Sequence, residues 1–276
     1  MDHQMFRNRA IIMVGAAALV TAAGTLPLQA QRGQAPVQPQ GTAQSQASID
    51  LTGYWVSVVT EDWEWRMVTP PKGNYARVPL NPEGRRVADT WDLAKDVASG
   101  NQCRPFGVGG LMRMPGRLHI TWQDPNTLRM EADAGTQTRF FRFGVSQRLA
   151  GERTWQGWSN AEWDYVSGRR DPSQGGSLKV VTIGMRVGYL RKNGVPYSEN
   201  MILTEYFDRH NEPTGDQWFT VTSVVEDPTY LTGPFVTTTH FKKEPDGSKW
   251  HPTGCEIAPP VQKPGSPNAP PVRGNG

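Results

Sequence analysis

Short runs of β-branched and aromatic residues, separated by turn residues, dominate the sequence from residue 49 to residue 256. Such runs are typical of strands, and short turns between consecutive runs favour antiparallel pairing. We predict strands at Gly53–Thr60, Leu118–Trp122, Thr127–Asp133, Thr136–Phe143, Leu178–Ile183, Met201–Arg209, Gln217–Val225 and Phe235–Lys243. The pattern predicts an all-β, mainly antiparallel meander with one short helix, closed as a barrel or folded as a sandwich. A barrel of roughly eight to ten strands encloses space for a small ligand.

The helix is predicted at Asn81–Ala98. Asn81 is a suitable N-cap, Pro82 fits the first helical position, and Gly100 follows the last periodic residue. Earlier in the chain, residues 63–67 alternate between apolar and charged side chains. This period of two predicts a further short strand.

The first thirty residues have the parts of an export signal. Arg7 and Arg9 supply positive charge, Ala10–Val20 is an apolar run, and cleavage is expected after Ala30. We therefore predict a signal peptide over residues 1–30 and a protein that is exported, to the periplasm or the medium. Retention of the segment as a membrane anchor is the alternative, and no stable membrane span is expected once the signal is cleaved.

Composition separates the remaining chain into three parts. Residues 31–48 are rich in glutamine and lack aromatic residues, and residues 257–276 are rich in proline, so we predict a disordered tether and a disordered tail. Residues 49–256 are left as a single barrel domain. Its two cysteines, Cys103 and Cys255, are expected to form a disulfide in an oxidising compartment.

Net charge and motifs exclude several functional classes. The chain carries 29 basic and 26 acidic residues, and its net charge of +3 is too small to predict a nucleic-acid surface. No phosphate-binding glycine motif occurs, so no nucleotide cofactor is expected, and the sequence indicates no other cofactor. No G-x-S-x-G motif of a nucleophilic serine occurs either. The histidines lack the paired spacing of zinc ligands, and no metal is expected either.

Two resemblances bear on the fold. Gly53-Tyr54-Trp55 resembles the Gly-x-Trp opening of lipocalin-type barrels, which implies a lipocalin-like barrel whose closed end is plugged by Trp55. A longer series of motifs resembles a group of uncharacterised exported β-rich proteins common in acidobacteria and proteobacteria. The motifs are Cys103-Arg104-Pro105, Met114-Pro115-Gly116, Thr154–Ser159, Leu178–Thr182, Glu205–Arg209 and Glu226–Pro234. This second resemblance implies fold and compartment, and it implies no activity.

Aromatic residues are concentrated between residues 155 and 165. Trp155, Trp158, Trp163 and Tyr165 lie within eleven residues, with few aliphatic neighbours. Exported proteins use such rings to stack on sugars or to line an apolar ligand cavity. The alternative is that the rings pack the core and cover a loop.

Glu205 and Arg209 lie four residues apart in one predicted strand, so they share a face with Leu203 and Phe207. A carboxylate and a guanidinium on a mixed face predict a polar patch in the barrel, which Glu131, Asp133 and Arg139 can join. Such a patch orients a polar head group or supplies a general base. The alternative is a set of cross-strand ion pairs on a solvated face.

Histidines extend the acid/base candidates. His119 and His240 each lie in a predicted strand, and a meeting of the two with Glu205 would assemble an acid/base or zinc site. The catalytic candidates are therefore Glu205, Asp133 and His240.

Together these residues predict an exported barrel that binds a small, partly apolar molecule through Trp155, Trp158, Glu205, Arg209 and Arg139. The first alternative is a barrel enzyme, a hydrolase, isomerase or lyase, that uses a carboxylate or histidine as acid/base. The second is an interaction or structural protein of the cell envelope. The sequence does not predict the oligomeric state.

Overall fold

Nine strands close into a barrel in this structure, a computed structural model that describes residues 41–145, 151–166, 171, 173 and 175–261. The barrel strands are β1 Gly53–Val58, β2 Arg117–Asp124, β3 Thr127–Ala132, β4 Gln137–Phe143, β5 Trp158–Tyr165, β6 Gly176–Ile183, β9 Ile202–Asn211, β10 Gln217–Glu226 and β11 Phe235–Glu244. Around the barrel they follow the order β1-β11-β10-β9-β6-β5-β4-β3-β2, and β2 pairs with β1 to complete the ring. A separate hairpin is formed by β7 Gly188–Arg191 and β8 Val195–Tyr197. The predicted all-β fold is confirmed, and the barrel alternative replaces the sandwich.

One pair of barrel strands differs from the others in direction. β4 and β5 run parallel, whereas the remaining neighbours in the barrel run antiparallel. Their register covers three pairs, from Phe141↔Ser159 to Phe143↔Ala161. Among the described residues, the first half of β4, residues 137–140, is therefore not paired with β5. The barrel wall has a seam at this place.

The helices differ from the single predicted helix. Asn81 is the N-cap as expected, since its side chain accepts a hydrogen bond from the Gly84 amide. The helix that it caps ends at Asp89 and does not continue to Ala98. A second helix starts because Asp92 accepts hydrogen bonds from the amides of Ala94 and Lys95. The helical segments are α1 Trp63–Arg66, α2 Pro82–Asp89, α3 Leu93–Ala98, a 3₁₀ turn Arg104–Phe106 and α4 Val108–Leu111.

The strand predicted at residues 63–67 is wrong, because these residues form α1. The alternation of apolar and charged residues does not separate an inner from an outer face there: Trp63 is 67% exposed, whereas Arg66 is buried. A helical turn places Arg66 against Glu61 and Ser57, which satisfy its guanidinium group. Tertiary contacts thus override a pattern of only five residues.

Aromatic side chains fill the middle of the barrel. Trp55, Phe141, Phe207, Phe219 and Phe241 are each at most 1% exposed. The Trp55 and Phe219 rings lie 4.7 Å apart, and the Phe219 and Phe241 rings lie 4.8 Å apart. The centre is therefore a packed core, and space for a ligand lies at its ends and seam.

The segment before β1 covers one end of the barrel. The indole nitrogen of Trp163 donates to the carbonyl of Ala43, and the Ala43 amide donates to the Asn126 side chain. Ala43 itself is buried in the core. Residues 41–48, which the sequence analysis places in the tether, are thus ordered in turns because the barrel end binds them. The predicted signal peptide, the tether up to residue 40 and the tail from residue 262 lie outside the described residues.

The predicted disulfide between Cys103 and Cys255 is present and joins residues 152 positions apart. It ties the segment after β11 to the helical segments. A second hydrophobic cluster, which includes Val108, Leu190 and Tyr197, packs those helical segments against the β7–β8 hairpin and the barrel. Among the described residues, no helix has the length and apolar character needed to cross a membrane.

Candidate functional site

A pocket of about 470 Å³ opens at the seam between the first half of β4 and the segment that leads into β5. We call it the seam cleft. It is lined by residues 137–140, Arg142, Gly151, Glu152, residues 154–158 and Gly184. The cleft exists because β5 pairs with β4 only from Ser159 onward, so the two segments of the chain stay apart before that residue.

Two tryptophan rings form one side of the seam cleft. Trp155 and Trp158 are both half-buried, and each ring already carries an arginine. The Arg142 guanidinium carbon lies 3.9 Å from the centre of the Trp158 ring, and that of Arg186 lies 4.2 Å from Trp155. Partial burial lowers the pKa of Arg142. The cleft therefore combines flat apolar surfaces with positive charge.

A buried ion pair lies beneath the cleft. Arg139 lines the pocket and forms two hydrogen bonds with Glu205, one of them 3.2 Å between Nη1 and Oε1. Arg139 also donates to Thr182 Oγ1 at 3.3 Å, and that hydroxyl lies 2.7 Å from Ser159 Oγ. Both charged side chains are 0% exposed. The pair links β4 to β6 and β9 through the barrel interior.

Two polar atoms of residues that line the cleft are buried and lack a hydrogen-bond partner within the described part of the chain: Arg139 Nε and Gln156 Oε1. Gln156 is held by its side-chain nitrogen, which donates to the Phe106 carbonyl at 2.8 Å and to Gln137 Oε1 at 2.9 Å. A buried donor and a buried acceptor thus remain unused in residues that lie beside the tryptophans. Leaving such groups unpaired is costly, and a ligand or an ordered water that pairs with them removes that cost.

The disulfide and a glycine hold Gln137 and the turn before β5 in place. The Gln137 amide nitrogen donates to the Gly135 carbonyl at 2.7 Å and contacts Cys255 Sγ at 3.6 Å. Gly157 has a φ of +59°, and a Cβ on it would lie 2.7 Å from the Ile183 carbonyl oxygen. Glycine is required there because the turn before β5 runs close against β6.

The structure divides the predicted ligand residues between the two barrel ends. Trp155, Trp158 and Arg139 line the seam cleft, and Glu205 lies beneath it. Arg209 shares the inward face of β9 with Glu205, yet it lines a pocket of about 310 Å³ at the opposite end. The predicted Glu205–Arg209 patch is therefore replaced by the Glu205–Arg139 pair.

Trp163 and Tyr165, the remaining aromatic residues of the predicted set, lie at the end of the barrel opposite the seam cleft. Trp163 lines it together with Trp122 and the segment 47–51. Trp163 and Tyr165 donate hydrogen bonds to the carbonyls of Ala43 and Gln46, so both rings cover the N-terminal segment. This is the packing alternative given for these two rings.

The catalytic candidates occupy separate settings. Glu205 is engaged by Arg139, and Asp133 Oδ1 accepts a hydrogen bond from the Arg117 amide at 2.7 Å. His240 lies 3.4 Å from Glu61 and 3.3 Å from the Thr220 hydroxyl. These three residues do not converge on one point.

His119 and His240 do not meet with Glu205, so the acid/base or zinc site that would require this meeting is not assembled. β1 pairs with β2 on one side and with β11 on the other, and so separates the two histidines. His119 instead stacks on Tyr54, with ring centres 4.1 Å apart, and lies near Glu131. The residues that the structure describes contain no group of three side chains able to hold a metal ion.

No family model and no curated protein matches this chain.

Two residues of the cleft were missed from the sequence. Gln156 lies inside the motif Thr154–Ser159, but a glutamine between tryptophans has no distinctive spacing that predicts a role in binding. Arg142 likewise has no spacing signal of its own within its strand. Its outward position opposite Trp158 depends on the parallel pairing of β4 with β5, which sequence patterns do not indicate.

Proposed function

We propose that this protein is an exported barrel that binds a small, partly apolar molecule in the seam cleft. The observation that carries the proposal is a pocket walled by Trp155 and Trp158, whose lining residues Arg139 and Gln156 each keep one buried polar atom, Nε and Oε1, without a partner among the described residues. A ligand that stacks on the rings and reaches these two atoms supplies the missing hydrogen bonds.

The lining indicates the chemistry of the ligand. The tryptophans suit a ring or another flat apolar group, while the Arg139 nitrogen requires an acceptor and the Gln156 oxygen requires a donor. The charge of Arg139 is already balanced by Glu205. Arg142 and Arg186 lie on the rings without an ion pair to another described residue, and Glu152 adds one carboxylate to the lining. The ligand is therefore expected to carry a hydroxyl or an anionic head group on an apolar body.

Binding is supported over catalysis by the separation of the acid/base candidates. Glu205, Asp133 and His240 each have their own partners, and a general base must lie within hydrogen-bond reach of the group on which it acts. The large apolar residues on the surface, such as Trp63 and Val166, belong to different elements. An envelope-interaction role therefore has less support than a ligand cleft.

Export is supported by the charged and apolar parts of residues 1–30 and by the disulfide, which persists in oxidising compartments. Mass spectrometry of the denatured protein, produced with its leader in a bacterial periplasm, tests this part. We expect the mass of a chain that starts at Gln31 with two fewer hydrogens than the reduced form. A mass corresponding to the full chain would contradict cleavage.

A fluorescent probe tests the cleft. 1-Anilinonaphthalene-8-sulfonate has flat apolar rings and an anionic head, and its emission rises in apolar surroundings. Titration of the native protein is expected to give saturable binding at a single site. Trp158→Ala and Trp155→Ala should each weaken that binding about tenfold, because each removes one stacking surface.

Trp63→Ala is the matched control, because Trp63 is exposed on α1 and lies outside the cleft. It should leave the affinity unchanged. Circular dichroism and the thermal midpoint of each variant show whether it keeps the native fold. Equal probe affinity in the wild type and in folded Trp155→Ala and Trp158→Ala proteins would refute the seam cleft as the binding site.

A further inference from the structure

A buried arginine outside the seam cleft has no hydrogen-bond acceptor among the residues that the structure describes. Arg191, at the end of β7, is 3% exposed, and within the described residues none of its three guanidinium nitrogens has a partner. Burial lowers the pKa of this side chain to about 10. A guanidinium group presents five N–H donors, so its complete lack of acceptors is a large unmet demand.

A second guanidinium group lies beside it. Arg113 donates from Nη2 to Asp62 at 3.0 Å, while its Nη1 is buried and has no partner among the described residues. The guanidinium carbons of Arg191 and Arg113 lie 5.8 Å and 6.0 Å from the centre of the same Phe235 ring. Their mutual repulsion contributes to the lowered pKa of Arg191. Four buried nitrogens of these two arginines thus lack an acceptor among the described residues.

The acidic residues nearby are already engaged. Glu61 pairs with the buried Arg66, and Asp62 is shared between Arg113 and Arg77. Lys192 adds a further cation, whose Nζ donates to the Arg66 carbonyl at 2.7 Å. We call Arg66, Arg113, Arg191 and Lys192 the Arg191 cluster. Glu64 also acts on Arg191 through its charge and accepts a hydrogen bond from the Asn74 side chain. The four cations of the cluster outnumber these three carboxylates, and an anion is the partner that balances it.

The short helix α1 covers the cluster. The ring of Trp65, in the middle of α1, lies over the Arg191 guanidinium at 4.6 Å, and Arg77 lies 5.4 Å from the same ring. The residue before α1, Asp62, has a left-handed backbone with a φ of +52°. Residues other than glycine adopt this conformation at a cost in free energy, and the ion pairs of Asp62 with Arg113 and Arg77 hold the turn in place.

We infer that the Arg191 cluster is a second binding site, for a small oxyanion whose carboxylate or phosphate oxygens accept hydrogen bonds from Arg191 and Arg113. Guanidinium groups bind such oxygens in bidentate fashion, which matches two neighbouring arginines with unused donors. The Trp65 ring, which lies over the Arg191 guanidinium, forms the wall of this site on the side of α1. This site shares no residue with the seam cleft and does not depend on the function proposed for it.

Thermal unfolding of the full chain tests the inference with two probes, inorganic phosphate and sodium succinate, each compared with sodium chloride at equal ionic strength. A ligand that binds only the folded protein raises the midpoint, and the rise at a hundredfold excess over the dissociation constant is expected to be about 5 °C or more. A saturating rise with phosphate alone assigns a phosphate-type ligand, and one with succinate alone assigns a carboxylate. No saturating rise with either probe overturns the inference.

Arg191→Met is the decisive variant. Without oxyanion it should be more stable than the wild type, because an unpaired buried charge has been replaced by an apolar side chain of similar length, and it should lose the response to the probe. A purely structural role of Arg191 over Trp65 predicts the opposite change in stability and an unaltered response. If Arg191→Met does not fold, Arg113→Met decides by the same loss of response.

Arg85→Met is the matched control. Arg85 is exposed and lies over the Tyr75 ring at 5.9 Å, so the substitution also removes a guanidinium from an aromatic ring. This variant should respond to the probe as the wild type does. Equal loss of the response in Arg85→Met and Arg191→Met would show a general effect of net charge and would overturn the site.

Discussion

The buried pair of Arg139 and Glu205 allows a quantitative test of how this barrel is stabilised. Both side chains are fully buried, and two hydrogen bonds join them. Glu205→Leu leaves the arginine charge without its carboxylate, and Arg139→Met leaves the carboxylate without its arginine. The double variant removes both charges and keeps similar volumes in the barrel.

The expected magnitudes follow from the burial of the pair. Each single substitution should cost about 3–5 kcal/mol of unfolding free energy, because it leaves an uncompensated charge in the core. For a domain of this size, that loss lowers the thermal midpoint by about 10 °C. The double variant should recover most of the loss, since replacing a buried ion pair with apolar residues is often neutral or stabilising. The coupling energy between the two positions should therefore be about 3 kcal/mol or more.

Thermal and urea unfolding, followed by circular dichroism, measure this cycle. The pair Lys179–Glu162 is a matched control: its atoms lie 2.7 Å apart between neighbouring strands, but its side chains are 33% and 64% exposed. The corresponding cycle, with Lys179→Met and Glu162→Leu, should give a coupling below about 1 kcal/mol. Coupling at Arg139 and Glu205 as small as in this control would refute the argument, because it would mean that water screens the inner pair.

Three further predictions concern other parts of the chain. Replacing Cys103 and Cys255 by serine opens a loop of 152 residues and should cost about 5 kcal/mol, measured by urea unfolding against the oxidised wild type. Burial lowers the pKa of Lys192 to about 8, so the unfolded chain binds the extra proton above that pH. Stability should therefore rise between pH 8 and pH 10, and Lys192→Met should remove that rise in a comparison of thermal midpoints. Gly157→Ala should lower the free energy of unfolding by more than about 1 kcal/mol and weaken binding of the naphthalene sulfonate probe, because the added carbon meets the Ile183 carbonyl. Unchanged probe affinity in this variant would show that the turn does not shape the cleft.

Much of the barrel was predictable because the relevant information is local. The period of two in Met201–Arg209 places Leu203, Glu205 and Phe207 on one face, and the structure buries all three. The consecutive predicted strands Leu118–Trp122 and Thr127–Asp133 pair with each other as the antiparallel strands β2 and β3. The ends of these strands lie within a few residues of the predicted ones, since hydrogen bonding to neighbours extends a strand beyond its pattern.

Other elements could not be predicted, because their conformation depends on distant partners. β5 was not recognised, since Trp158–Tyr165 becomes a strand by pairing with β6 and β4. α1 was predicted as a strand, because its five-residue pattern gives no information about the contacts of Arg66. The predicted helix Asn81–Ala98 is divided because Asp92 acts as a second N-cap, a role that its position within a periodic segment hid.

The amino-acid sequence by itself determined the all-β class and the inward face of β9, because alternation and turn residues act over short distances. It also determined the disulfide, because two cysteines leave one possible pairing. Only the tertiary structure decided that Glu205 pairs with Arg139 rather than Arg209, and that Trp155 and Trp158 stand beside a cleft. Arg139 and Glu205 are 66 residues apart, and they meet because closure of the barrel places β4 across from β9. The seam cleft likewise results from the short parallel pairing of β4 with β5, a long-range arrangement that no local pattern specifies.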